Sequence, residues 1–198
     1  MPVLPAKVPP EEYAMAAEAI GAPFSLVRAI GAKETLWNEE NPADIRREPG
    51  KWRRYRFASR AAKAWDRKGN SSDRAKRWAQ FVEMDAICQA DALLNARAGN
   101  AAILSHSFGW CQIMGFNHQF CDYESARDWL AAMQTMQGQR ECFIALVRSD
   151  AALLKAFQTR NYPVIALHYN GTNYRQNKYD TDLRDFDLAF QKEGPAYA

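Results

Sequence analysis

Several short stretches carry side chains suited to acid–base and polar-contact chemistry. Glu34 follows Val27 and Ile30 at helical spacing, so its carboxyl shares the face that those apolar residues mark as buried. Burial disfavours the charged form of a carboxyl, and the negative end of the helix dipole pushes the same way, so the position predicts a proton donor. The plainer expectation is a surface ion pair with the adjoining Lys33. Glu48, in Arg46-Arg47-Glu48-Pro49-Gly50, offers a second carboxylate in a loop, either to hold a water or simply to pair with the arginines beside it. Ser107, Gly109 and Gln112 combine a hydroxyl, an amide and a small residue that permits close backbone approach. Tyr169 and Asn170 place a phenol and an amide at a helix end before Gly171, where an ordinary helix cap would look the same. A proton donor, a second carboxylate and convergent hydroxyl and amide groups are what acid-catalysed cleavage of a glycosidic bond needs.

Pyranose rings present apolar faces that stack on aromatic side chains. Trp37, Trp110, Phe116 and Tyr174 adjoin these stretches and are candidates, although most aromatics in a chain of this size belong to the core. His106, His118 and His168 lack ligand spacing, so no metal or other cofactor is expected, and they read as core or cleft polar residues. Cys88, Cys111, Cys121 and Cys142 form no CxxC motif and read as free buried thiols.

The elements that must position these groups are mostly helical. Pro9-Pro10-Glu11-Glu12 opens a first helix that Gly21 and Pro23 end, and a second fits Ser25 to Lys33. Residues 38–50 read as an irregular loop. The stretch from Ser59 to Arg97 is helical, with Trp78, Phe81, Val82, Asp85 and Cys88 on one stripe and Gly99 as its stop. Ser105 to Asn117 has weak periodicity and predicts a loop or short strand entering a short helix. Helices follow at Ser125 to about Met136, Arg140 to Arg148, Asp150 to Arg160, Tyr162 to Tyr169 and Asp180 to Gln191, several opened by Ser, Asp or Asn. Strand-like alternation is scarce, which predicts a mainly α fold with at most a small β hairpin or sheet.

The 198 residues, 47% hydrophobic and 12% aromatic, suffice for one packed core, so a single domain over 1–198 is expected, with 1–22 as an N-terminal helix or arm and no separate binding module. No apolar run approaches the roughly 20 residues of a membrane span. Met1 to Pro10 has four prolines and no apolar stretch, so a secretory signal is not expected and synthesis in the cytoplasm is. Thirteen of the 26 Lys and Arg fall between Arg46 and Arg77, beside three acids, giving that stretch +10 and the remainder −7. Such a run is either a solvated helical face or a surface drawn to a polyanion. No nucleic-acid motif accompanies it, so nucleic acid is not the expected partner.

From Phe24 to Phe186 the chain resembles the phage N-acetylmuramidase endolysins, most clearly over Ser-Phe-Gly-Trp-Cys-Gln-Ile-Met-Gly-Phe-Asn (107–117) and from His168 to Asp180. It is also similar to phage lytic transglycosylases in the order Glu-Thr, Arg-x-Glu-Pro-Gly, Gly-x-x-Gln-x-Met and Tyr-Asn-Gly. Two departures from the muramidases are Thr35-Leu36-Trp37 after the glutamate and Arg47-Glu48-Pro49-Gly50 where they carry Phe-Glu-Arg-His. The resemblance implies a lysozyme-like fold that acts on peptidoglycan, with Glu34 as catalytic acid and Gln112, Tyr169 and Asn170 lining the cleft. It leaves open a hydrolase, a transglycosylase yielding 1,6-anhydro products, or an inactive wall-binding virion component. It also implies action on the cell wall from the periplasmic side, with a virion or another delivery partner to bring the chain there.

Overall fold

The computed structural model describes residues 4–35, 44–47, 71–92 and 99–193. Helix α1 (Pro10–Ile20) starts where proline fixes φ in the first turn and Glu11 and Glu12 meet the positive helix end. Its apolar positions fall at helical spacing, so Tyr13, Ala16, Ala17 and Ile20 are buried. Gly21, at φ 66°, closes it. Helix α2 (Phe24–Glu34) is buried at seven positions, including Leu26, Val27, Ala29 and Ile30, which makes it an interior helix. Gly31 lets α1 cross it closely, because a Cβ there would lie 2.5 Å from the Tyr13 phenol oxygen.

Three short strands, β1 (Ile45–Arg47), β2 (His106–Phe108) and β3 (Ile113–Met114), form an antiparallel sheet in that order. The loop expected over 38–50 therefore contains a strand, while Trp37 and Glu48 lie outside the described residues. Pairing sets Ile45 opposite Phe108 and Arg46 opposite Ser107, and Ser107 in turn opposite Met114. Because side chains alternate across a pleated sheet, Ile45, Phe108 and Ile113 enter the core as one row, and Arg46, Ser107 and Met114 form another.

Helix α3 (Arg74–Ala92) carries the expected stripe with one correction. Trp78, Phe81, Asp85 and Cys88 are buried, Met84 joins them, and Val82 is 61% exposed. Val82 sits one turn beyond Trp78 on the solvent-facing flank of the helix. Asp85 tolerates burial because Arg127 grips it with two bonds of 2.6 and 2.7 Å. After α4 (Ala101–Leu104) and the sheet hairpin comes a 3-10 helix at Gly115–Cys121. Helices α5 (Ala126–Ala132), α6 (Met136–Ser149), α7 (Ala151–Gln158) and α8 (Tyr162–Ile165) follow, capped by Ser125, Thr135, Asp150 and Asn161. α6 starts earlier than Arg140 because the Thr135 hydroxyl accepts the Gly138 N–H at 2.9 Å. α8 runs into a π-helical turn at Ala166–Asn170, and α9 (Tyr179–Glu193) ends the described chain.

The core is strongly aromatic. Trp110 is fully buried, edge-on to Tyr13 at 5.1 Å and tilted against Phe143 at the same distance. Phe108 meets Trp129 and Phe81 at 5.2 and 5.3 Å. The four thiols are free and buried, and burial pushes Cys88 up to about 11. Among the described residues no helix is long and apolar enough to cross a membrane.

Helix α9 packs along α2, presenting Leu183, Phe186 and Phe190 together with Asp187. Asp187 is fully buried and fully engaged, accepting from Ser25 Oγ (2.5 Å), Tyr162 Oη (2.9 Å) and Arg160 Nε (3.0 Å). Asp187→Ala removes the acceptor that three elements share and leaves those donors facing a void. The expected loss is about 3 kcal/mol, the lower end for a broken buried pair because Arg160 keeps 40% of its side chain in solvent. Thermal unfolding followed by circular dichroism should show a Tm roughly 6 to 12 °C lower, and an unchanged Tm would refute the assigned role.

Candidate active site

A groove of about 530 Å³ opens where the end of α2, the sheet hairpin and the π-helical turn meet. Glu34, Ser107, Gln112, Tyr169 and Asn170, drawn from three separate stretches of sequence, all line it. Phe116 is on the lining as well. Trp110 is not. Its indole is 0% exposed in the aromatic core, which corrects the expectation that it stacks on sugar. Tyr174 is likewise buried and absent from the lining.

Glu34 is the last residue of α2 and is half-buried. The Tyr179 phenol, at the start of α9, donates to its Oε1 at 2.6 Å. Lys33 does not pair with Glu34. Its ammonium turns to Asp182 at 2.6 Å and to the Asn177 carbonyl at 3.2 Å, which settles the plainer expectation against the neighbour. Burial, reinforced by the Glu34 charge, raises the Tyr179 phenol well above its ordinary value, so it remains an O–H donor at any working pH. Tyr169 is raised in the same way, by burial first and then by Cys111 and Glu34, and its hydroxyl donates to the Cys111 carbonyl at 2.7 Å. That bond ties the π-helical turn to the 109–112 turn. A π-helical turn widens the helix locally and so re-aims Tyr169 and Asn170.

The hairpin turn holds the other polar groups. Gly109 adopts φ 78°, donates to the Asp44 carbonyl at 2.9 Å, and leaves no room for a Cβ, which would sit 2.5 Å from Gln139 Oε1. Gln139 supports the turn from below by accepting the Trp110 N–H at 3.1 Å and donating to the Met133 carbonyl at 2.8 Å. Gln112 is held at φ 46°, an uncommon conformation for a side-chain-bearing residue. Its Oε1 accepts from Ser107 Oγ at 2.7 Å and its Nε2 donates to the Gly109 carbonyl at 2.8 Å. Among the described residues, one amide N–H and one carbonyl lone pair of Gln112 have no partner, and the Ser107 hydroxyl acts only as a donor.

Sequence reasoning missed Arg46, Asn117, Asn173 and Asn177 on the lining, and Tyr179 behind it. The signal for the last asparagines was their recurrence at 170, 173 and 177, but asparagine is also an ordinary turn residue, and residues 172–178 are a run of turns. His168 lies at the edge of the groove with Nδ1 2.6 Å from Asp150 Oδ2. His106 belongs to the core, where burial pushes its imidazole down to about 3 and Nδ1 donates to the Ala102 carbonyl at 2.7 Å. Among the described residues no cluster could hold a metal ion.

The chain shares its fold with the crystal structure of a Burkholderia AP3 phage endolysin, at a TM-score of 0.69 and 22% identity, over 96% of this chain and 73% of that one. No curated protein matches it. The family model for N-acetylmuramidases matches residues 34–191, a span that begins at Glu34 and includes the hairpin turn, the π-helical turn and Tyr179. That match covers most of the chain and every described lining residue of the groove, and it places this protein in the N-acetylmuramidase family.

Proposed function

We propose that Glu34 is the general acid of this muramidase and that it cleaves the β-1,4 bond between N-acetylmuramic acid and N-acetylglucosamine in peptidoglycan. The observation that carries the reading is the half-buried carboxyl of Glu34 on a sugar-sized groove, oriented by the 2.6 Å bond from Tyr179. Glu34 gives its proton to the glycosidic oxygen as the bond from that oxygen to the muramic C1 breaks, leaving an oxocarbenium-like centre. A water then adds to C1 and sheds a proton to a carboxylate. Ser107 is suited to hold that water, since its own hydrogen goes to Gln112 and its lone pairs are left to accept. Glu48 is the second carboxylate proposed for this step. Gln112 and Asn170 offer amides to N-acetyl and hydroxyl groups, and Phe116 offers an apolar ring to a pyranose face. Tyr179 is a positioning residue: it fixes the carboxyl in the ground state and supports the carboxylate once the proton has left. We place the action on the cell wall, reached by way of a virion, a lysis system or a secretion machine.

Glu34→Gln keeps the shape of the side chain and removes the proton donor. Clearing of purified sacculi should fall by at least about 100-fold while sedimentation with sacculi persists. Equal clearing by variant and wild type would end the reading, as would wild type that binds sacculi and never clears them. Mass spectrometry of the wild-type digest should show muramic ends carrying the added water. Products lighter by one water would instead identify attack by the muramic C6 hydroxyl, with Glu34 returning as base.

Tyr179→Phe should lower kcat by about 10-fold and leave KM within about twofold, the pattern for an interaction that orients the acid without holding the sugar. A change confined to KM would show that the phenol contacts substrate instead.

A further inference from the structure

Among the described lining residues of the groove is a guanidinium group that the cleavage chemistry does not use. Arg46 lies in the sheet row Arg46, Ser107, Met114, and all three line the groove. Among the described lining residues it is the one lysine or arginine. Its guanidinium is fixed by Asp44, whose Oδ2 accepts from Nε at 2.9 Å and lies 2.8 Å from Nη2. Asp44 is itself buried and held, accepting from the Ile45 N–H at 3.0 Å and from Arg77. Among the described residues one carboxylate thus serves two guanidinium groups.

A purely structural role does not account for Arg46. Arg77 already ties β1 to α3, bonding the Ile45 and Ser71 carbonyls at 2.9 Å in addition to Asp44. Arg46 keeps 27% of its side chain exposed, and Asp44 engages only one edge of its five-donor fork. A guanidinium pre-oriented on a buried acid, whose other edge meets no partner among the described residues at a groove wall, is built to receive an anion.

The glycan offers one only on its muramoyl units. N-acetylglucosamine is uncharged, whereas the lactyl ether of the muramoyl unit ends in a carboxylate when peptide-free, and in a peptide with its own carboxylates otherwise. Resting on the reading of the groove as the glycan site, we propose that Arg46 is its specificity-determining residue, pairing with a carboxylate carried by the muramoyl unit so that the groove favours muramoyl glycan over uncharged N-acetylglucosamine polymer.

Calorimetric binding by the full chain carrying Glu34→Gln tests this without cleavage. The ligands are a peptide-free muramoyl–glucosaminyl tetrasaccharide, its peptide-bearing counterpart and chitotetraose. Adding Arg46→Gln should weaken binding of a muramoyl ligand by about 10- to 100-fold and leave chitotetraose within about twofold. A loss already seen with the peptide-free ligand assigns the lactyl carboxylate, and a loss confined to the peptide-bearing ligand assigns the stem peptide. Arg46→Lys keeps the charge and should recover part of the affinity, which separates recognition from damage to the sheet. Equal losses for all three ligands, or none, would overturn the proposal while leaving the glycan site intact. Failure of the parent to bind any of the three would overturn both.

Discussion

The hydrogen bond from Tyr179 to Glu34 spans 145 positions of sequence, and it forms only because α9 lies along α2. The same interface carries Ser25 with Asp187, Lys33 with Asp182 and Arg28 with Glu193. Each bond fixes the axial register of one helix against the other. Sliding α9 by one residue would rotate it by about 100° and take the phenol away from the carboxyl. Burial of Leu183, Phe186 and Phe190 supplies the adhesion, and the polar contacts select which sliding position is occupied. The acid's orientation is therefore a property of helix packing, because α2 alone would leave Glu34 at a fraying end.

A second constraint lies in the sheet, which is very small for what it does. Strict alternation sends Ile45, Phe108 and Ile113 into the core and puts Arg46, Ser107 and Met114 on the groove. The hairpin between β2 and β3 then bends Gln112 into a left-handed conformation, which costs on the order of 1 to 3 kcal/mol. Bonds to Ser107 and the Gly109 carbonyl hold it there, and Gln139 braces the turn beneath. On the proposed reading of the groove as the glycan site, the Gln112 amide held by this frame would meet a sugar already placed, with little ordering left to do on binding.

The aromatic residues show how proximity in sequence misleads. Trp110 sits between two groove residues of the same turn, yet it points the other way, into contact with Tyr13 and Phe143. A turn at positive φ reverses which side of the chain consecutive residues face, and burying a large indole is favourable wherever a core is within reach. Phe116, five residues past Cys111 in a 3-10 helix, reaches the groove instead. Val82 failed for a related reason. Its spacing fits the stripe of α3, but it falls on the flank that faces solvent.

By itself the sequence determined the helical character of the fold, most helix starts and three of the groove's walls. Those features follow from local physics: apolar period, capping side chains, proline and glycine at helix ends, and the ordered motifs around Glu34, Gln112 and Tyr169. It also marked Glu34 as the acid to examine, although it offered an ion pair with Lys33 as the plainer reading. Only the tertiary structure decided that Lys33 turns to Asp182 and that Tyr179 takes the place beside Glu34. It likewise decided that a strand at 45–47 brings Arg46 to the groove and that Trp110 leaves it. Each of those outcomes depends on the relative placement of elements far apart in the chain, which is set by how their apolar faces fit together and leaves no periodic trace in the residues themselves.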